Sequence, residues 1–493
     1  MKTIALFVSA PIDKVKRDSL SLFLTEIGNR VSVVPYGICE TNDDRKCIDS
    51  LGNFHSSFAL QDLVARCVAT GLDNTKYLPD KYQKYNLQRV RLKTSVRGAN
   101  LFSGSATNFN SLICLYIKCF EILFEENKID CVCFGLDGAC NNRLIPILEA
   151  VCREFAIDTV YLTNPLHRFV IYDNLARVSE KIEEVYLDKI ENGLSHAEIQ
   201  RLVNAITAYI EFKRTDMWLG QVSGTSKIGG NETKYFHNKL RLPSMRPSYQ
   251  AIKLLAFQLY RICSDRNNIE RRLWSKRIAN GMISNDEKYI LLLPNKALNY
   301  RTNFIAPFYS DLRTIIRNIS LSLPFTHSLL VRNHPGTRGY DVSCLEEVHA
   351  LENVAFVDSE MDLFDLINQA DAVCTIAGSV SLDALLCYKH LITFGNQPYL
   401  FGDTQAPVFR VTDWEELPTV IQSCIHNEPD KEQILAYLYA FIKASVGMTV
   451  SLEHTDWLDE DCDPSKNQPW FKLEEWQNIG ARYLARHLEQ MYA

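Results

Sequence analysis

The sequence predicts an α/β protein with two Rossmann-like, doubly wound domains, a helical connecting region and a C-terminal helix. Three observations lead to this prediction. Short apolar runs alternate with amphipathic segments in the first third of the chain. Charged segments with a helical period follow, and a second alternation of apolar runs and amphipathic segments begins near residue 289.

The first domain is predicted over residues 1–175. Amphipathic segments such as Ser19–Gly28 separate its strand-like runs, and this alternation favours parallel strands with helical crossovers. The predicted strands are Thr3–Ser9, Arg30–Pro35, Ile129–Phe134 and Thr159–Leu162. The opening apolar run is too short for a membrane span, so a strand is the better interpretation and a cytoplasmic protein is expected.

The helical connecting region is predicted over residues 176–286, with helices at Ala176–Glu191, His196–Phe212 and Tyr249–Ala279. The second Rossmann-like domain is predicted over residues 287–430. Its strands are expected at Tyr289–Leu293, Ser328–Arg332, Val354–Val357, Ala372–Ile376 and His390–Phe394. Residues 431–493 are predicted to form a helical tail that ends in an amphipathic helix, Leu473–Tyr492.

Composition excludes several classes of protein. The net charge of −6 provides no basic field, so nucleic acid is not expected as a partner. The 15 cysteines are an odd number, many lie in apolar runs, and none forms a Cys-x-x-Cys pair. Buried free thiols in a reducing compartment are therefore expected rather than disulfides or a zinc ribbon.

The first candidate site motif follows the strand that ends at Arg332. His334, Pro335 and Arg338 lie in the loop beyond it, in the run Arg332-Asn333-His334-Pro335-Gly336-Thr337-Arg338. Ligands of doubly wound sheets bind beyond the carboxyl ends of strands, and arginine bonds phosphate oxygens in pairs. A solvated turn is the competing interpretation for His334.

Two further motifs end the next two strands. Thr375 leads into Gly378, Ser379 and Ser381, where a strand turns directly into a helix and could offer backbone N–H groups to an anion. Helix capping alone also explains this pattern. Gly395 follows the next strand, and three neighbouring strand ends together favour a ligand crevice.

These motifs resemble those of capsule polysaccharide biosynthesis glycosyltransferases, which have the two-domain GT-B fold. The resemblance is clearest from Lys288 to Val411. It rests on the order Arg-x-His-Pro, Thr-x-x-Gly-Ser-x-x-x-Asp-Ala-Leu and Phe-Gly-x-x-x-Tyr along successive strand ends. It implies a nucleotide-facing turn at His334 and Pro335. It also implies a phosphate cradle at Gly378, Ser379 and Ser381, with Gly395 bordering the donor.

The resemblance also implies a role for Asp383, which stands where family members often have a glutamate that could reach a ribose hydroxyl. Some members transfer Kdo from a CMP-activated donor, so a CMP-sugar is the favoured donor here. The expected partners are this nucleotide sugar and a glycan or glycolipid acceptor. Polysaccharide assembly or export machinery at the inner membrane is a further expected partner, reached from its cytoplasmic face.

Sugar transfer also needs a group near the acceptor hydroxyl. The candidates are Asp13, Asp137 and His334, although either aspartate could be a simple turn residue. No metal or other cofactor is expected, and the Asp-x-Asp patterns from Asp459 to Asp463 are interpreted as an exposed acidic face. A polyol-phosphate transferase, a sugar-nucleotide epimerase and a non-catalytic scaffold in polysaccharide assembly remain alternatives.

Overall fold

A computed structural model describes two β-sheets with helices packed against both. The described residues are 2–8, 14–30, 32–40, 42–69, 78–85, 87, 109–135, 144–163, 168–172, 175–214, 288–294, 306–309, 311–332, 348, 351–357, 361–376, 378, 380–395, 400, 407–444, 446–447 and 473–492. The predicted helix Tyr249–Ala279 and the acidic segment Asp459–Asp463 lie outside them.

The first sheet has seven strands within the described residues. They are β1 (Lys2–Val8), β2 (Val33–Cys39), β3 (Ser56–Ala59), β4 (Cys131–Phe134), β5 (Asp158–Thr163), β6 (Arg168–Tyr172) and β13 (Val446–Gly447). Their order is β13-β6-β5-β4-β1-β2-β3. Strands β1 to β5 are joined by parallel pairs, whereas β6 pairs antiparallel with both β5 and β13. The order 3-2-1-4-5-6 is that of a Rossmann sheet.

The second sheet repeats this order with six strands among the described residues. They are β7 (Tyr289–Leu293), β8 (Ser328–Arg332), β9 (Val354–Val357), β10 (Ala372–Thr375), β11 (His390–Thr393) and β12 (Val408–Arg410). They lie in the order β12-β11-β10-β7-β8-β9, and each neighbouring pair is parallel. The predicted α/β fold class with two Rossmann-like sheets is confirmed.

The helices cover both faces of the sheets. In chain order they are α1 (Lys14–Arg30), α2 (Asn42–Asp49), α3 (Leu60–Ala69), α4 (Asp80–Gln83), α5 (Phe109–Glu126), α6 (Ile145–Glu154), α7 (Leu175–Asn192), α8 (His196–Lys213), α9 (Leu312–Ser322), α10 (Leu363–Gln369), α11 (Val380–Leu386), α12 (Leu417–His426), α13 (Lys431–Ala444) and α14 (Leu473–Tyr492). Within the described residues, no helix is long and apolar enough to cross a membrane.

Two sequence predictions need correction in the first domain. Helix α1 continues to Arg30, so the second strand begins at Val33 and runs to Cys39 instead of ending at Pro35. The predicted helical tail, residues 431–493, also contains a short strand, β13. Strand β13 pairs with β6, and α14 packs against α1, where Arg30 and Glu489 form an ion pair of 3.0 Å.

The cores follow the alternation of side chains along each strand. Leu291 of β7 faces a large apolar cluster that also contains residues of the first sheet, whereas Leu292 faces a smaller cluster with α9 and α12. A third cluster lies between β1, α1 and α14. Both faces of each sheet are therefore buried, which explains why the strands read as continuous apolar runs in the sequence.

Candidate functional site

The strand order of the second sheet defines where a ligand crevice is expected. The chain order reverses between β7 and β10, which are hydrogen-bonded neighbours, and a doubly wound sheet binds ligands beyond the carboxyl ends of the strands at such a reversal. The motif from Thr375 to Ser381 follows β10 directly. The structure thus brings the start of this motif to the topological switch point.

Four polar side chains lie at the carboxyl edge of this sheet, three on the adjacent strands β10, β11 and β12 and the fourth on β8, beyond Leu293 of β7. We call Arg332, Thr375, Thr393 and Arg410 the polar layer; each is the last residue of its strand. Thr375 is opposite Thr393 in the register, and Thr393 is opposite Arg410. All four share a sheet face, because each lies two positions after a residue of the large apolar cluster.

The two threonines of the polar layer are fully buried, with 0% of their surface exposed. Neither Thr375 Oγ1 nor Thr393 Oγ1 has a hydrogen-bond partner among the described residues. Buried hydroxyls are nearly always bonded, because an unbonded one costs about 1–3 kcal/mol. Two such hydroxyls on neighbouring central strands are therefore candidate donors to a ligand.

The two arginines of the polar layer bring positive charge to the same edge. Arg332 is only 7% exposed, and its Nη2 donates to the Met361 carbonyl at 3.0 Å. Arg410 Nη2 donates to the Leu400 carbonyl at 3.1 Å. Each guanidinium group is thus held by a carbonyl from a segment outside the strands, and the charges suit a phosphate group.

The turn after β10 is held by Ser381. Its backbone N–H and its hydroxyl both donate to the Gly378 carbonyl, at 3.0 and 2.6 Å, and the side chain is fully buried. The hydroxyl therefore stabilises the turn that begins α11. The phosphate contacts expected of Ser381 and Gly378 stay predictions, and in this structure the hydroxyl is engaged within the turn.

Asp383 lies in α11 with 1% of its surface exposed. Its two carboxylate oxygens accept from Lys213 Nζ, at 2.7 and 2.6 Å. Burial raises the pKa of Asp383, while the charges of Lys213 and of Arg332 oppose that rise. The ribose contact inferred for Asp383 stays a prediction, because both carboxylate oxygens meet Lys213 here.

Several predicted site residues lie outside the described residues, namely Asp13, Asp137, His334, Pro335, Arg338 and Ser379. Their position along the chain is still informative. Asp13 comes shortly after β1 and Asp137 shortly after β4, the two strands between which the order of the first sheet reverses. Gly395 is described and follows β11, where Phe394 N–H donates to the Thr375 carbonyl at 3.1 Å.

A cavity of about 200 Å³ lies at the carboxyl edge of the first sheet. Its wall is mainly apolar, and Glu40 brings a carboxylate to it just beyond the end of β2. The lining residues are Glu40, Leu60, Gln61, Val64, Ala65, Tyr116 and Leu144. Sequence analysis did not identify Glu40, because the predicted strand ended at Pro35 and placed residue 40 away from a strand end.

Sequence analysis also missed Thr393, Arg410 and Lys213. Thr393 is the last but one residue of the predicted strand His390–Phe394, as Thr375 is of Ala372–Ile376, and could have been found by applying the rule already used for Thr375. Strand β12 has only three residues, which is too short to give a clear alternation. The contact of Lys213 with Asp383 spans 170 residues of sequence, and no local pattern indicates such a pair.

In the part of the chain that is described, no group of three or more histidine, cysteine, aspartate or glutamate side chains could hold a metal ion. The cysteines of this part are free thiols, and all but Cys47 are buried. The predicted absence of a cofactor stays a prediction.

The solved structures that match the chain are distant from it. The UDP-GlcNAc 2-epimerase of Methanocaldococcus jannaschii with UDP-GlcNAc and UDP is 10% identical, over 88% of this chain and 98% of its own, with a TM-score of 0.30. A glycosyltransferase of Rickettsia africae is 12% identical over 99% and 98%, with a TM-score of 0.29. Anabaena HepE in complex with UDP is 12% identical over 99% and 100%, with a TM-score of 0.33.

The family comparison concerns the second domain. No curated protein matches the chain. Residues 246–404 match the model of a family described as capsule polysaccharide biosynthesis protein. This segment includes Arg332, Thr375 and Thr393, three of the four residues of the polar layer. The resemblance inferred from the sequence is therefore confirmed, and over residues 246–404 the chain is similar to the capsule polysaccharide biosynthesis proteins.

Proposed function

We propose that the protein is a glycosyltransferase of capsular or other surface polysaccharide synthesis, and that its nucleotide-sugar donor binds at the carboxyl edge of the second sheet. The polar layer is the observation that carries this proposal. It places two buried hydroxyls and two guanidinium groups at one edge, next to the reversal of strand order. The family match over residues 246–404 supports the same site.

The proposed chemistry divides between the two sheets. Sugar transfer releases a nucleotide phosphate, and the charge that develops on it is stabilised by preorganised donors. Arg332, Arg410 and the threonine hydroxyls supply such donors. The acceptor hydroxyl needs a proton acceptor, for which we propose Asp13 or Asp137 near the reversal of the first sheet. Glu40 offers a further carboxylate at that edge.

We propose a CMP-sugar as the donor, with Kdo as the first sugar to test, because the family resemblance includes enzymes that use CMP-Kdo. His334, Pro335, Arg338, Ser379 and Gly395 would complete the nucleotide site. The acceptor is a glycan or glycolipid, reached at the cytoplasmic face of the inner membrane. Arginines replace a divalent metal in this proposal, since they can neutralise the phosphate themselves.

The test is thermal stabilisation of the purified protein by CMP, CDP, UDP, GDP and ADP. A ligand that binds the folded state alone raises the melting temperature. We expect selective stabilisation by CMP in the wild type and its loss in Thr375→Val and Thr393→Val. The matched control is Thr207→Val, which makes the same chemical change on the exposed side of α8, where the hydroxyl bonds the Val203 carbonyl.

The threonine variants separate binding from stability. Since neither hydroxyl has a partner among the described residues, its removal should leave the melting temperature of the free protein unchanged or slightly higher. A shift with UDP alone, followed by epimerisation of a UDP-sugar, would favour the epimerase alternative. No shift with any nucleotide at millimolar concentration would contradict the proposed donor site and favour the scaffold alternative.

A further inference from the structure

The connecting region contributes a buried charge to the second domain. Lys213 is the last residue of α8, and its side chain is 10% exposed. Its ammonium group lies 2.7 and 2.6 Å from the two carboxylate oxygens of Asp383 in α11. The rings of Tyr209 and Phe364 lie 5.3 and 6.0 Å from the same ammonium group and enclose it.

Burial of this ion pair needs an explanation other than stability. Removing two charges from water costs much of what their attraction returns, so apolar residues of similar volume would often stabilise the fold equally well. The best-attested use of such a pair is to fix one geometry among several. Here the geometry concerned is that of α11, which has only seven residues and follows the turn at Gly378.

Two contacts hold α11 at its start. Ser381 bonds the Gly378 carbonyl and closes the turn from within the second domain. Asp383, two residues later, is held by Lys213 from outside that domain. A helix of this length has little stability of its own, so its position depends on such contacts. Arg332 of the polar layer is close enough to Asp383 to act on its ionisation.

The neighbouring residue makes a different kind of contact. Arg214 follows Lys213, and its guanidinium lies 2.6 Å from Asp365 and 3.5 Å from Asp362, at the start of α10. The Arg214 side chain is 42% exposed, so this pair is screened by water. Arg214 thus offers a control on the same stretch of chain, with the same partner chemistry but without burial.

We propose that Lys213 is a positioning residue of the donor site, which holds Asp383 and thereby fixes α11 and the turn at Gly378 against the ends of β10 and β11. That this turn belongs to a donor site rests on the proposed function. That Lys213 fixes the position of α11 does not depend on it. Lys213 lies outside residues 246–404, so the site depends on a helix that the family match does not include.

The first experiment needs no ligand. Hydrogen exchange of the full chain is followed by mass spectrometry in the wild type, Lys213→Met and Arg214→Met. In Lys213→Met we expect exchange within residues 376–387 to rise about tenfold, with residues 2–8 of β1 unchanged. Arg214→Met should leave both segments unchanged. Unchanged exchange at 376–387, or an equal rise in β1, would overturn the proposal.

A second variant covers the case in which Lys213→Met leaves an unpaired carboxylate and does not fold. The double variant Lys213→Met with Asp383→Asn removes both charges and keeps most of the volume. It should fold and still show faster exchange at 376–387, because the amide and the thioether do not replace the ion pair. Wild-type exchange in this folded double variant would also overturn the proposal.

Nucleotide affinity then decides whether the positioned turn belongs to the donor site. We expect Lys213→Met to weaken binding about tenfold in protein that is still folded, with partial recovery in Lys213→Arg and no change in Arg214→Met. A purely structural lysine would lower the melting temperature without this change in affinity. If the wild type binds no nucleotide, the proposed function fails, while the exchange result still decides the role of Lys213.

Discussion

The two sheets share one strand order but end differently at their carboxyl edges. In the first sheet four of the seven described strands, β1 to β4, end in buried apolar residues, which are Val8, Cys39, Ala59 and Phe134, whereas β5 ends in Thr163. In the second sheet, four of the six described strands end in the polar layer. Beside β1 to β4 the first sheet therefore has polar groups beyond the strands, as at Glu40, whereas the second sheet buries polar groups within the strands.

The difference between the two edges distinguishes residues that the fold needs from residues that a binding site needs. A parallel sheet covered on both faces needs no polar side chain at its strand ends, and β1 to β4 of the first sheet have none there. Buried threonine hydroxyls without a partner lower stability, so their presence in the second sheet needs a reason outside folding. Binding of a polar ligand supplies one, because it would satisfy those hydroxyls.

The largest effect is expected from the buried pair beside the polar layer. Asp383→Asn leaves Lys213 without its charged partner, and removal of one member of a buried pair costs about 3–5 kcal/mol. The measurement is the urea midpoint of the second domain. Lys213→Met in the same protein should return part of that loss, and simple additivity of the two changes would contradict strong coupling.

A smaller effect on stability is expected when threonine and valine are exchanged at the carboxyl edges of the two sheets, and this exchange tests the comparison of the edges directly. Val8→Thr buries a hydroxyl among apolar groups at the end of β1 and should lower stability by about 1–3 kcal/mol. Thr375→Val should have no effect or raise stability by up to about 1 kcal/mol. Chemical denaturation of both variants measures the contrast, and equal losses would show that Thr375 is an ordinary structural residue.

Lowering the pH tests the contact between helices α8 and α13, which both contribute to the large apolar cluster between the sheets. Burial opposes ionisation of Glu198 in α8, but hydrogen bonds from Tyr439 of α13 and from Ser195, together with Lys189, lower its pKa to about 2. Since this lies below the ordinary value of 4.5, its contribution to stability is complete above about pH 4.5 and is lost as pH falls towards 2.

The check is the melting temperature of wild type and Glu198→Gln between pH 6 and pH 2. The wild type should lose more stability than the variant across this range, because glutamine does not titrate. Parallel curves for the two proteins would show that Glu198 does not link α8 to α13 through its charge.

The smallest effect is expected at the exposed pair beside Lys213. Asp365→Asn removes the closer carboxylate of Arg214, and an exposed pair of this kind contributes roughly 0–1 kcal/mol. The result would set the scale for the buried pair, since both involve adjacent residues of the same chain segment. A loss as large as that of Asp383→Asn would remove the distinction between buried and exposed contacts.

Much of the second sheet could be predicted from the sequence. Strands β7, β8 and β9 begin and end at the predicted residues, because a strand buried on both faces is a continuous apolar run with clear limits. Strands β3, β6, β12 and β13 were missed. β3, β12 and β13 are short, whereas β6 contains the apolar run Phe169–Tyr172 between the turn residues Asn164-Pro165 and Asp173-Asn174, so its pattern was available in the sequence.

The site could be predicted only in part. The sequence located the ends of β8 and β10, since motifs next to strands are local features. It could not show that Thr393 and Arg410 share a row with Thr375, because that depends on strand order and register. Nor could it show that Asp383 meets Lys213, since contacts between distant segments are set by packing alone.

Strand β13 and helix α14 follow the second domain in the sequence but pack against the first, and this has a consequence for biosynthesis. Leu484 and Leu488 of α14 complete the apolar cluster beneath Ile4 and Leu6 of β1, and β13 borders the same sheet. During translation, one face of the first sheet is therefore covered by α1 but not yet by α14 while the second domain, whose described strands follow one another in the sequence, emerges and can fold. The ribosome starts the first domain first but completes it last, and the nascent protein would need protection from aggregation throughout that interval.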